Sequence, residues 1–270
     1  MNLLEKQMVD LLLRLKEQHH VAGLKAEFEA EGTRLEEAMR LKEVSLKAGL
    51  HLTLKIGGCE AIRDMFEAAN LGTTNLVAPM VETAYALKKY LQAVRVAFPA
   101  DLRQDMTFLI NLETITSCRN FGEMLALPDA KELGGIVIGR VDLTGSLGLT
   151  REDINSDQVK NLALEAAAMA KATGKIVVVG GGVSVDSLSF FRSFPTGHLD
   201  RYETRKVVFQ CPGALQNQEE AFLRAVEFEL MWLKNKKNYY TQISREDDAR
   251  LVLMEERYKK QIAALAATKG

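Results

Sequence analysis

Two carboxylates stand where apolar runs end. Glu113 closes FLINLET and Asp142 closes GIVIGRVDL. An unpaired buried carboxylate is costly, so each acid has two readings: a functional group, or a helix cap or salt-bridge partner. Facing one cavity, the pair would suit a hard divalent cation. Mg²⁺ and Mn²⁺ prefer oxygen ligands, often one or two carboxylates with substrate and water. Zinc fits less well, because neither segment contains His or Cys. A second feature is the glycine run of KIVVVGGGVSVDS, with Ser184 at an expected helix start. Such turns bind anions or allow close chain packing, and Gly180 to Gly182 are compatible with either.

The elements that must carry these groups are legible as an alternation. Seven short apolar segments, LKAEFE, LHLTLKI, NLVAPMV, TFLINLE, GIVIGRVDL, KIVVVGGG and KVVFQC, are separated mostly by stretches with helical spacing. That order predicts βαβ units around a parallel sheet. Its length favours a TIM-type (β/α)₈ barrel with one strand missing or replaced, whose active site lies at the C-terminal strand ends. Residues 1 to 18, with Leu4, Met8, Leu11, Leu12 and Leu15 at helical spacing, predict an amphipathic helix. We therefore expect a single barrel domain over 1–270: an N-terminal helix (1–20), the barrel (21–236) and a C-terminal helical extension (237–270). Within the tail, a helix over Asn217–Lys236 is expected to break at Asn238-Tyr239-Tyr240. Ser244 to Asp247 resembles a capping box for a second helix to about Ala267. Its stripe of Leu251, Met254, Tyr258, Ile262 and Leu265 either packs on its own barrel or forms a subunit contact.

Composition removes several classes. With 35 Lys+Arg against 36 Asp+Glu, the chain lacks a broad basic footprint, so no nucleic acid is expected. No apolar run is long enough to span a bilayer, so no membrane association is expected either. The N-terminal 20 residues mix acids and bases without a small-residue cleavage site, which reads as a cytoplasmic protein. Cys59, Cys118 and Cys211 lack paired spacing, so we expect no disulfide framework, and Met65, Met80 and Met124 read as core. The cluster Asp200, Arg201, Glu203 and Arg205 precedes a strand; if it is a loop it lies on the N-terminal face, as a structural ion-pair cluster, with substrate contact the lesser reading.

Three segments together resemble one family. AANLGTTNLVAPMVETAYALKKYL, NLETITSCRNFGEML and GIVIGRVDLTGSLG are similar to the "LDxGAxxIxVPMVExAxxA", "QIETxxAxxNxxEI" and "GxxIGPxDLSxSLG" stretches of the HpcH/HpaI aldolase and citrate lyase β-subunit family. The resemblance runs from about Glu27 to Asp153. It implies a barrel that binds pyruvate-like or phosphoenolpyruvate-like groups, with Mg²⁺ or Mn²⁺ on Glu113 and Asp142. It implies carbon–carbon bond chemistry through the enolate of a small 2-keto acid or of an acyl-CoA-like thioester, and assembly as a homo-oligomer, a trimer or hexamer. Asn111 would lie beside the site, and backbone N–H groups around Arg140, Val141 and Asp142 would hold the substrate carboxylate.

Two positions depart from the family pattern. Lys55 stands where the family has an Arg that contacts the keto oxygen; the charge is kept and the planar fork is lost. Lys55 could polarise that oxygen, form a Schiff base, or simply snorkel from the strand end. The family's "DxEH" motif aligns with Glu27-Phe28-Glu29-Ala30, so Ala30 replaces the acid/base His. His51 is a poor substitute, about 13 Å from Lys55 at the rise of a strand and towards the wrong end of the barrel. Glu29 or Glu31 could act as base, or belong to a solvated acidic loop. These departures leave two expectations: a metal-dependent carbon–carbon lyase with Lys55 and Glu29 as catalytic groups, or an accessory barrel that binds keto acid and metal without turnover.

Overall fold

The computed structural model describes residues 1–267. Helix α1 (Leu3–His19) opens the chain. Asn2 and Glu5 form a capping box at its start, and Met8, Leu11, Leu12 and Leu15 are its buried stripe. Eight strands follow: β1 (Val21–Glu27), β2 (His51–Lys55), β3 (Asn75–Ala78), β4 (Thr107–Leu112), β5 (Gly135–Gly139), β6 (Ile176–Gly180), β7 (Arg201–Glu203) and β8 (Val207–Gln210). Between them lie α2 (Leu35–Lys47), α3 (Ile62–Leu71), α4 (Ala84–Ala97), α5 (Ala100–Gln104), α6 (Ile115–Leu125), α7 (Arg140–Ser146), α8 (Asp157–Ala172) and α9 (Leu188–Arg192). Helix α10 (Glu219–Ala267) ends the described chain.

The strands close into a barrel in sequence order. Strands β1 to β7 pair in parallel, whereas β8 pairs antiparallel with both β7 and β1. A reversed strand thus replaces the eighth parallel unit. It follows β7 through a tight connection, in which Thr204 N–H donates to Val207 O at 2.9 Å. Inside the barrel, Val77, Leu109, Val137 and Val178 form a buried apolar layer, one from each of β3 to β6. Charged and polar groups stand above this layer, at the strands' C-terminal ends.

Three expectations are corrected. The 200–209 segment is not a loop on the N-terminal face: Arg201–Glu203 is β7, and its end delivers Glu203 to the C-terminal mouth. Three residues with charges at both ends carry no apolar signature, so this strand was invisible to periodicity. Asp142 does not close a strand, because β5 stops at Gly139 and Asp142 lies in the first turn of α7. The tail does not break at Asn238-Tyr239-Tyr240, and Ser244 caps nothing, because α10 is one helix of 49 residues. It contains neither Gly nor Pro, and Asn or Tyr costs a helix interior only about half a kcal/mol relative to Ala.

The chain divides into two units, Met1–Glu229 and Leu230–Gly270. In the second, Leu251, Met254, Tyr258, Ile262 and Leu265 are exposed. No helix among the described residues is long and apolar enough to cross a membrane.

Candidate active site

The barrel mouth in the first unit holds a cavity of about 660 Å³. Lys55 is the last residue of β2, in register with Glu27 of β1 and Val77 of β3. Its ammonium lies 2.7 Å from Glu29 Oε2 and 3.6 Å from Glu113 Oε2. Burial disfavours the charged ammonium, but Glu113 and Glu29 more than offset it, so its pKa lies above the ordinary lysine value. Lys55 therefore does not snorkel into solvent; it is a buried cation facing the cavity.

Glu113 follows β4 directly. The cap of α6 is Thr114, whose side chain accepts from Ser117 N–H, so Glu113 is free of that duty. One carboxylate oxygen accepts from Met80 N–H at 3.0 Å, the other from Asn111 Nδ2 at 2.6 Å. Burial raises its pKa and the charge of Asp142 adds to the rise, against the opposing pull of Lys55 and these two donors. The backbone makes room for it at Gly139, where a Cβ would stand 2.8 Å from Glu113 Oε2. Met80 is not core, as its type suggested. It is 44% exposed, lines the cavity and adopts φ 51°, a region that side chains other than Gly rarely occupy. That conformation carries its N–H to Glu113. Met65 and Met124 are fully buried.

Asp142 also lines the cavity. Asn111 Oδ1 is buried and has no hydrogen-bond partner among the described residues. Two neighbouring carboxylates and an unpartnered amide oxygen form a hard, oxygen-only donor set, which fits Mg²⁺ or Mn²⁺. Among the described residues no cluster of three or more His, Cys, Asp or Glu could hold a metal ion.

The Arg140 side chain serves the scaffold. It is fully buried and donates to Gly180 O at 3.3 Å, Gly181 O at 2.9 Å, Ser187 Oγ at 3.1 Å and Asn155 Oδ1 at 2.5 Å. Phe190 and Phe191 stack on its guanidinium, and burial lowers its pKa to about 10. Its backbone faces the opposite problem, because the first N–H groups of a helix lack intrahelical acceptors. A Cβ at Gly181 would come within 2.8 Å of the backbone nitrogens of both Arg140 and Val141. Gly181, at φ 80°, thus lets the chain pass close against these two nitrogens, while Gly182 packs against Ile154. These contacts are those of the close-packing reading of the glycine turn.

A second charged group, which sequence reasoning missed, completes the mouth. Lys25 of β1 lies 2.5 Å from Glu203 and 3.0 Å from Glu27. Glu31 is tied to Lys206 and Arg205, which leaves Glu29 as the acid of this loop that lines the cavity. Ala30 lines it as well, whereas none of the four His does. His51 is exposed at the far end of β2.

Comparison with known proteins agrees with this architecture. The family model for HpcH/HpaI aldolase/citrate lyase matches residues 54–189, half of the chain. An HpcH/HpaI aldolase/citrate lyase family protein from Burkholderia cenocepacia J2315 is 14% identical, covering 89% of this chain and 90% of its own, with a TM-score of 0.58. A structure described as citrate synthase SbnG is also 14% identical, covering 84% and 98%, with a TM-score of 0.57. An HpcH/HpaI aldolase from Desulfitobacterium hafniense DCB-2 is 12% identical over 67% and 76%, with a TM-score of 0.55. At these identities the likeness is one of fold. No curated protein matches the sequence. The chain belongs to the HpcH/HpaI aldolase/citrate lyase family.

Proposed function

We propose that the protein is a metal-dependent carbon–carbon lyase acting through the enolate of a small 2-keto acid or acyl thioester. The observation that carries this is the convergence of Glu113, Asp142 and the unpartnered Asn111 oxygen on one cavity with the Lys55 ammonium. Glu113 and Asp142 would hold the Mg²⁺ or Mn²⁺, which supplies Lewis acidity when bound.

The chain's own groups do the rest. The backbone amides in the first turn of α7, where Val141 and Asp142 line the cavity, receive the substrate carboxylate. Lys55 stays protonated and stabilises negative charge as it develops on the keto oxygen. Glu29 takes the hydroxyl proton of the substrate as the carbon–carbon bond breaks; the bonding pair moves into the enolate, and a proton returned to carbon completes the keto acid. Its Oε2 lies 2.7 Å from the Lys55 ammonium.

A second reading has its own observation. Ala30 lines the cavity where the family's acid/base His is expected, and an accessory barrel that binds keto acid and metal without turnover would tolerate that loss. A panel of 4-hydroxy-2-keto acids, assayed for retro-aldol cleavage with Mn²⁺ or Mg²⁺, separates the two. Cleavage that falls in Glu29→Gln and Lys55→Ala supports the lyase. Cation and keto-acid binding without any cleavage supports the accessory protein.

A further inference from the structure

The cavity is larger and less uniform than a pyruvate-sized ligand requires. Its floor is charged, with Lys25, Lys55, Glu27, Glu29, Glu113 and Asp142. Another side is apolar. The first turns of α10 present Leu223 and Val226, and the segment after the glycine turn presents Val183 and Val185. Leu223 is 60% exposed and Val226 53%, yet both line the cavity that contains the charged floor. Phe222, buried against Tyr202 and Phe209, anchors this wall to the barrel.

We propose that this wall receives an unbranched alkyl tail, so that the substrate is a 2-keto acid whose far end is apolar and several carbons long. The proposal rests on the keto-acid reading of the charged floor. Two observations let one ligand span floor and wall, and a third favours an apolar tail over an anionic one. The wall and floor belong to a single cavity, so one molecule can touch both. A volume of about 660 Å³ lies in the range of drug-sized ligand sites. Arg205 at the rim is neutralised by Glu31 on one side and Glu229 on the other, and Glu219 and Glu229 add negative charge to the same rim. Arg151 is the remaining rim cation that an acidic tail could use.

The test is calorimetric titration of the full chain, with Mn²⁺ present, by pyruvate, 2-oxobutanoate, 2-oxohexanoate and 2-oxooctanoate. Affinity is expected to rise roughly two- to fourfold per methylene. Leu223→Ala and Val226→Ala, which shrink the wall without adding charge, should flatten the rise with chain length. Affinity that is flat or falls with chain length overturns the proposal. So does tighter binding of a 2-keto diacid of matched length, or a rise unaffected by both variants. Because the readout is binding, it is independent of turnover: absence of cleavage would count against the lyase and leave this measurement intact.

Discussion

The ammonium of Lys55 lies 2.7 Å from a carboxylate oxygen of Glu29. This contact ties the last residue of β2 to the loop that follows β1, one residue before Ala30. The proton transfer proposed above rests on this acid and its neighbouring ammonium.

Lys55 should not form a Schiff base. A nucleophilic amine must be neutral, whereas Glu113 and Glu29 hold this one above the ordinary lysine pKa despite burial. Borohydride treatment in the presence of pyruvate should leave Lys55 unmodified by mass spectrometry. Lys55→Ala should lower kcat by roughly a hundredfold or more, the scale of losing a preorganised donor, with Lys55→Arg retaining more activity.

Glu113→Gln and Asp142→Asn should each weaken Mn²⁺ binding in calorimetry. A tenfold loss corresponds to about 1.4 kcal/mol, and removal of a charged oxygen ligand is expected to exceed it. Unchanged affinity in both variants would remove the metal assignment.

Gly181→Ala should impair carboxylate binding. The added Cβ would stand 2.8 Å from the nitrogens of Arg140 and Val141, at φ 80°. We expect a raised KM for keto acids together with a stability loss of about 1–3 kcal/mol. Arg140→Ala differs in kind. Its guanidinium bridges Gly180, Gly181, Asn155 and Ser187, so the first consequence should be loss of stability, about 3 kcal/mol or more by denaturant unfolding.

Lys25 and Glu27 set a pH dependence of stability. Burial opposes the Lys25 charge, but Glu203 and Glu27 raise its pKa above the ordinary 10.5. Its contribution is thus complete below that value and lost only as pH climbs past the folded-state value. Burial would raise the Glu27 pKa, but Lys25 pulls it below the ordinary 4.5. Its contribution is complete above 4.5 and lost as pH falls through the folded-state value. Thermal unfolding should accordingly show no loss from this pair between about pH 5 and pH 10, with a decline in acid that Glu27→Gln reduces. Lys25→Ala, which leaves Glu27 and Glu203 facing each other in a buried site, should cost about 3–5 kcal/mol at neutral pH.

Sequence carried the ladder of parallel strands because each is an apolar run bounded by polar turns, and it carried Glu113 because an acid after such a run is conspicuous. It did not carry β7, two of whose three residues, Arg201 and Glu203, are charged, and so it lost Glu203 as a member of the mouth. Met80 escaped for a different reason: its part is played by a backbone N–H in a left-handed conformation, which the residue type does not announce. Arg140 was legible as a position beside the site, but the direction of its side chain depends on Gly180, Gly181 and Phe190, which are distant in sequence. The continuity of α10 was obscured by polar residues that resemble a cap; only the absence of Gly and Pro pointed to an unbroken helix.

The central claim is that this cavity stabilises an enolate, and hydrogen exchange at the methyl group of pyruvate tests it most directly. In D₂O with Mn²⁺ or Mg²⁺, the protein should incorporate deuterium into pyruvate, as followed by NMR. Glu113→Gln should slow the exchange by about a hundredfold or more. Calorimetric binding of cation and pyruvate to the wild-type chain without any exchange would contradict the account.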